Sequence, residues 1–316
     1  MATAEQIKAL IRTHLTDNSD QFITVALQVA AHEARQGHTE VAHEIRQIVD
    51  KAKLRPRVIA KFPNDLNGLI FTEEPRISLS ALVLGEDLKV RIERIILEYR
   101  QQNRLKSHGM THRRKILLTG PPGTGKTMTA TVLATELKQS LHIVQIDRLV
   151  TKFMGETSAK LRQIFDMMRV VPGVYLFDEF DAIGSERSLD NDVGEMRRVL
   201  TSFLQFIEND TSDNLIIAAT NNLQLLDRAL FRRFDDVLNY ELPGERERAQ
   251  LIANLLGTFI DNRFPLNKAA TEASGLSHAE IDRACIDAIK EAVLTNKNRV
   301  TIKSLSKELS ERQRNI

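Results

Sequence analysis

The run Gly120-Pro121-Pro122-Gly123-Thr124-Gly125-Lys126-Thr127 constrains this chain more than any other, because it is a complete G-x-x-x-x-G-K-[ST] phosphate-binding loop. Before it, Lys115 to Thr119 form a short apolar run of strand length. After it, Met128 to Lys138 hold Leu and Ala at helical spacing without Gly or Pro. A strand therefore feeds a loop that feeds a helix. Glycines let backbone N–H groups turn inward around a phosphate, and the following helix points its positive end at the same anion. Lys126 is then the point charge for the β- and γ-phosphates. The Thr127 hydroxyl is the ligand for a bridging magnesium ion, and the loop together with Met128 forms the nucleotide cradle. A Gly/Pro-rich turn with an accidental Lys would match the string but not its setting.

Beyond the loop, apolar runs at His142–Asp147, Val174–Phe177, Leu215–Thr220 and Val237–Leu242 alternate with helical stretches, which means a parallel sheet. Val174-Tyr175-Leu176-Phe177 is apolar without alternation, as expected of a strand covered on both faces. It ends at Asp178-Glu179. Carboxylates at the C-terminal end of such a strand suit one for magnesium, Asp178, and one for activating water, Glu179. One such acid alone is commonly a helix cap; two adjacent acids with a phosphate loop make a joint signal.

At 316 residues, with 42% hydrophobic and 27% charged content, the chain has room for two or three domains. Lys+Arg number 44 against 42 Asp+Glu, so no global basic field argues for nucleic acid. One cysteine, Cys285, excludes an intramolecular disulfide. With no signal pattern and no long apolar run, a reducing cytoplasm is the expected compartment and no membrane span is expected.

Residues 1–54 read as three amphipathic helices, marked by Ile7, Leu10 and Ile11, then Phe22, Val25, Ala26 and Val29, then Val41, Ile45, Ile48 and Val49, with Gly37 as a stop. His32-Glu33 and His43-Glu44 open like zinc-protease helices, but Gln36 and Gln47 stand where a second His ligand is needed, so neither is a metal site. Pro56, Pro63 and Pro75, with Lys51, Lys53, Arg55, Arg57 and Lys61 just before, make residues 55–78 a linker. From Leu82 to Leu105 a helix resumes. After Pro243 the chain is helical again; Ser277 and Glu280 have capping-box spacing, and Ile281, Cys285 and Ile289 share a face, which makes Cys285 a core residue.

Between about Leu82 and Ala284 these motifs resemble a single-ring AAA ATPase. Gly120–Thr127 is similar to its Walker A and Tyr175–Glu179 to its Walker B. Ala218-Ala219-Thr220-Asn221-Asn222 resembles the sensor-1 strand, which implies that Asn221 orients the lytic water. Leu226–Asp235 resembles the segment bearing arginine fingers, a role the resemblance gives to Arg232 and Arg233; without it, adjacent arginines read as surface ion-pair formers. Gly275–Ile281 resembles the lid motif near the adenine, implicating His278 and Ala279. Lys152, Phe153 and Met154 fall where the family carries an aromatic pore loop, and Gly184–Asn191 where it carries a second. The chain departs from many relatives in showing Glu208-Asn209-Asp210 in place of Asp-Gly-Phe. Its adjacent arginines and its helical N-terminal domain resemble microtubule-severing and membrane-remodelling members. Its order and size also resemble bacterial stand-alone members paired with a subtilisin-like serine protease.

The expected fold is therefore α/β: a P-loop parallel sheet flanked by helices over residues 79–242, with a helical lid over 243–316 and a helical N-terminal domain. The resemblance implies an ATP- and Mg2+-dependent homo-oligomer, a hexameric ring that remodels or threads a protein through a central pore. A regulator or switch for a separate protease and a nucleic-acid-stimulated motor are the alternatives. Neutral charge and the lack of a zinc, helix-turn-helix or base-stacking module disfavour the last.

Overall fold

The computed structural model describes residue 8 and residues 19–54, 66, 68–149, 156–180, 192–222, 231–295 and 299–314. The chain divides into two compact units, Met1–Lys61 and Phe62–Ile316. In the first, α1 (Ser19–Arg35) and α2 (Thr39–Leu54) pack as a hairpin. Gly37 turns the corner at φ +86°, the left-handed conformation glycine adopts at little cost. Ala26, Val29 and Ala30 face the buried side with Ala42 and Val49. Val41, read from the sequence as part of that side, is instead 46% exposed, because the stripe is rotated by one residue onto Ala42. The expected first helix, with Ile7, Leu10 and Ile11, lies outside the described residues.

The second unit is built on a six-stranded sheet. Its strands are β1 (Ile70–Glu73), β2 (Lys115–Thr119), β3 (Leu141–Gln145), β4 (Val174–Asp178), β5 (Leu215–Thr220) and β6 (Asp236–Asn239), in spatial order β1-β3-β4-β5-β2-β6. All neighbours are parallel except β1, which runs antiparallel to β3 with Ile70 opposite Val144 and Glu73 opposite Leu141. Because side chains alternate along a strand, Ile116, Leu118, Val174, Leu176, Leu215 and Ile217 enter one core, and Leu117, Tyr175, Phe177, Ile216 and Ala218 the other. The first core is closed by α3 (Glu86–Arg100), through Ile92, Ile95, Ile96 and Tyr99, and by α5 (Lys126–Leu137), with the short α4 (Gln102–Ser107) lying between them in the chain. The second is closed by α7 (Glu156–Met168) and α8 (Asp192–Asn209), which bring Phe165 and Phe203 against Phe177; a single turn, α6 (Ile146–Leu149), follows β3.

Several boundaries differ from the sequence reading. Strand β1 lies within residues 55–78, read there as linker, so that end of the stretch belongs to the sheet. The helix expected from Leu82 starts at Glu86, with Gly85 as N-cap, and Val83 is buried in the irregular stretch before it. Strand β3 stops at Gln145, not Asp147, and β6 runs Asp236–Asn239 rather than Val237–Leu242. The C-terminal helices α9 (Glu245–Leu256), α10 (Leu266–Glu272), α11 (His278–Leu294) and α12 (Ile302–Gln313) enclose a separate core around Ile252, Leu276, Ile281, Cys285 and Leu305. Cys285 is fully buried there and burial pushes its thiol pKa up to about 12, so it is a small apolar group and not a nucleophile.

Candidate nucleotide site

At the C-terminal end of β2 the chain turns sharply at Gly120, whose φ is +139°. A Cβ here would overlap the Tyr240 carbonyl oxygen, so only glycine lets the loop leave the strand beside the end of β6. Gly123, at φ +73°, is closed in from the other side: its Cβ would lie 2.7 Å from Ser277 Oγ and 3.0 Å from Ala279 Cβ. The loop is thus held between the sheet and the first turn of α11. Ala279 N–H donates to Gly123 O at 3.0 Å, docking the lid helix directly on the loop. That helix also carries the capping box read from the sequence, with Ser277 N–H donating to Glu280 Oε2 at 2.7 Å.

Helix α5 begins at Lys126, so its unpaired N–H groups face the loop. The Lys126 side chain is 7% exposed and curls into the loop, where Nζ donates to Gly120 O and Pro121 O, both at 2.8 Å. Thr124 Oγ1 braces the same turn through Pro121 O at 2.7 Å. Thr127 Oγ1 donates to Asp178 Oδ2 at 2.8 Å, which brings the two expected metal ligands into contact across the gap between β2 and β4. Pro121, Pro122 and Gly123 are exposed, while Thr124 is buried.

Glu179 follows at φ +52°, a left-handed conformation rare for a residue with a side chain, and its N–H donates to Asp178 Oδ1 at 2.9 Å. Such geometry typically costs about 1–3 kcal/mol and collects at functional sites. Glu179 is exposed there, just past the end of β4. Asn221 lies just past the end of β5, exposed at the same edge of the sheet. His278 Nε2 donates to Val83 O at 3.0 Å, and its buried Nδ1 has no hydrogen-bond partner among the described residues. Burial holds this imidazole below the ordinary histidine pKa, so the neutral Nε2–H tautomer is the one that fits.

Tyr240 is a part of the site that motif reading missed. Its N–H donates to Thr119 O at 2.6 Å, and its buried phenol donates to Thr129 Oγ1 at 2.7 Å; Thr129 in turn donates to Gly125 O at 3.0 Å. The sequence signal was a Tyr just past an apolar strand, which carries no information about its partner two elements away.

The structure brings Gly120–Met128, Asp178, Glu179, Asn221, His278 and Ala279 to one edge of the sheet. It puts Arg232 and Arg233 at the opposite edge. They precede β6, and Asp235 N–H donates to Lys115 O at 2.7 Å, at the start of β2 rather than its end. Lys152, Phe153, Met154 and Gly184–Asn191 lie outside the described residues.

A model of the ATPase family associated with various cellular activities, AAA, matches residues 116–242. The chain is also 32% identical to the uncharacterized AAA family ATPase y4kL of Sinorhizobium fredii, over 99% of this chain and 96% of that one. The chain belongs to the AAA ATPase family. It is similar too to a proteasome-activating nucleotidase of Saccharolobus islandicus, at 33% identity over 74% of this chain and 62% of the relative. A putative 26S proteasome regulatory subunit homolog of Methanothermobacter marburgensis is 31% identical over 75% of this chain and 64% of its own length. The chain thus spans less than two thirds of those last two relatives. As an AAA ATPase it binds and hydrolyses ATP. Among the described residues, no helix is long and apolar enough to cross a membrane.

Proposed function

We propose that this AAA ATPase works as a homo-oligomeric ring, a hexamer, that couples ATP hydrolysis to remodelling or threading a protein substrate. The observation that carries the reading is the separation of the arginines from their own phosphate loop. They flank the start of β2 and the loop leaves its end, a strand of five residues away, or roughly 16 Å. A guanidinium at that distance cannot touch its own γ-phosphate, so the site is completed by a neighbour.

Within each site, Lys126 and the loop N–H groups bind the phosphates. Thr127 and Asp178 would hold Mg2+, which would supply positive charge to neutralise the phosphates. Glu179 takes the proton from water that Asn221 orients, and the neighbour's arginine pair, Arg232 and Arg233, supplies the cationic charge that stabilises the transferred phosphoryl group. The proteasome-activating nucleotidase among its relatives supports a protein substrate. It also supports use with a separate protease; a subtilisin-like partner rests on the resemblance in order and size alone.

Phe153, flanked by Lys152 and Met154, is the residue proposed to grip substrate in the pore. The test is Phe153→Ala, followed by melting temperature, basal ATPase and unfolding of a tagged substrate in the same preparation. The expected result is normal folding and basal turnover with unfolding abolished. A large fall in melting temperature would return Phe153 to a packed core, where truncation costs about 3–5 kcal/mol. Normal unfolding by a well-folded variant would remove threading and leave a nucleotide switch.

A further inference from the structure

The turn that opens into β6 carries two adjacent arginines in unlike surroundings. Arg233 Nε–H donates to Glu208 Oε2 at 3.2 Å, and its side chain is only 32% exposed. Arg232 is exposed and makes no hydrogen bond or ion pair among the described residues.

Glu208 is next to last in α8, and that helix end is fastened to the start of β2. Lys115 Nζ donates to Glu208 O at 3.4 Å, and Arg114 pairs with the buried Asp210 carboxylate while also donating to its carbonyl. The turn itself is fastened to the same place. Asp235 Oδ2 accepts the N–H groups of Arg114 and Lys115, both at 2.9 Å, and Phe234 is buried in the core. Arg233 therefore links two structures that are each rigidly held, while Arg232 projects from between them.

We propose that the two arginines divide the work, with Arg232 the finger that reaches a neighbouring protomer's nucleotide and Arg233, clamped by Glu208, the positioning residue that fixes the turn Arg232 projects from. This rests on the reading that the pair acts across a protomer interface. A guanidinium already facing a carboxylate must give up that partner to reach a phosphate, whereas an unpaired one gives up only water. The Glu208–Arg233 contact thus turns the end of α8 toward the arginine of its own chain. An ion pair this exposed contributes little to global stability, so its loss is read in turnover and not in melting.

The experiment compares Arg232→Ala, Arg233→Ala, Glu208→Ala, Glu208→Gln and the double variant Glu208→Ala/Arg233→Ala in the full-length protein, measuring kcat and KM for ATP, melting temperature and ring mass by light scattering. Arg232→Ala should lower kcat by about 10³-fold or more with KM little changed, the magnitude of a lost finger. Glu208→Ala and Arg233→Ala should each lower kcat by about 10- to 100-fold, as a misplaced group does. The double variant should be no worse than Arg233→Ala alone, because removing Glu208 then breaks no contact that is still present. Glu208→Gln, which keeps an acceptor, should recover most of the loss. A kcat loss in Arg233→Ala equal to that of Arg232→Ala, with Glu208→Ala unaffected, would make Arg233 a finger itself and overturn the division while leaving action in trans intact. Additive losses in the double variant would overturn it as well. If neither arginine variant changes kcat in rings of normal mass, action in trans fails and the division fails with it.

Discussion

Gly120→Ala tests the account of how the phosphate loop is held. The new Cβ would overlap the Tyr240 carbonyl oxygen and sit 2.8 Å from Tyr240 Cβ, and neither can yield by rotating a side chain. Tyr240 is 3% exposed and pinned at both ends, by its N–H on Thr119 O and its phenol on Thr129. Relief requires the loop and the end of β6 to separate. That step gives up a backbone hydrogen bond worth about 1 kcal/mol and leaves a buried hydroxyl unpaired at about 1–3 kcal/mol. The left-handed backbone adds about 1–2 kcal/mol for a residue with a Cβ. Together these amount to about 3–6 kcal/mol, or roughly 6–24 °C of melting temperature for a unit of this size. Gly125→Ala is the control: its φ is +97°, but a Cβ there meets nothing within 4 Å, so backbone strain alone applies. Calorimetry without nucleotide separates the two, since neither effect then involves ligand. Gly120→Ala melting at or above Gly125→Ala would refute the argument that Tyr240 sets the loop's path.

Lys126→Ala should abolish nucleotide binding, whereas Glu179→Gln should bind ATP normally and lose about 10²–10⁴-fold in turnover; equal loss of affinity in both, by calorimetric titration, would remove Glu179 from the role of base. The buried imidazoles of His112, His142 and His278 are held below the ordinary histidine pKa, chiefly by burial. The unfolded chain therefore takes up protons first, and stability should be level above about pH 6.5 and fall as pH drops below it. His142→Gln should flatten part of that slope in melting curves between pH 5 and 7.5, given as rough bounds around the histidine range; an unchanged slope would show that His142 titrates alike in both states.

The sheet's centre was legible because β4 and β5 are buried on both faces and so are written as unbroken apolar runs. The edge was not. Strand β1 has four residues, exposes Phe71 to solvent and sits among prolines, so its only signature is pairing with β3, a contact about 70 residues away in the chain. Val83 and Leu84 look helical by composition but lie outside the helix, where Val83 is buried and its carbonyl oxygen accepts from His278. In the site, the motif residues follow from phosphate chemistry and were readable one by one. The Thr127–Asp178 contact was implicit in their shared job. The grip of Tyr240 and of Ser277 and Ala279 on the loop was not, because it depends on which elements lie beside the P-loop in space.

The central claim is that each ATP site is shared between two protomers. Mixing Lys126→Ala protein with Arg232→Ala protein tests it most directly, because neither can turn over ATP alone while some interfaces in a mixed ring pair an intact loop with an intact finger. ATPase measured across mixing ratios should rise to a maximum near equal amounts of the two. Mixed rings, verified by differential tagging, whose activity never exceeds that of either parent would mean that the arginine acts within its own protomer or only as structure.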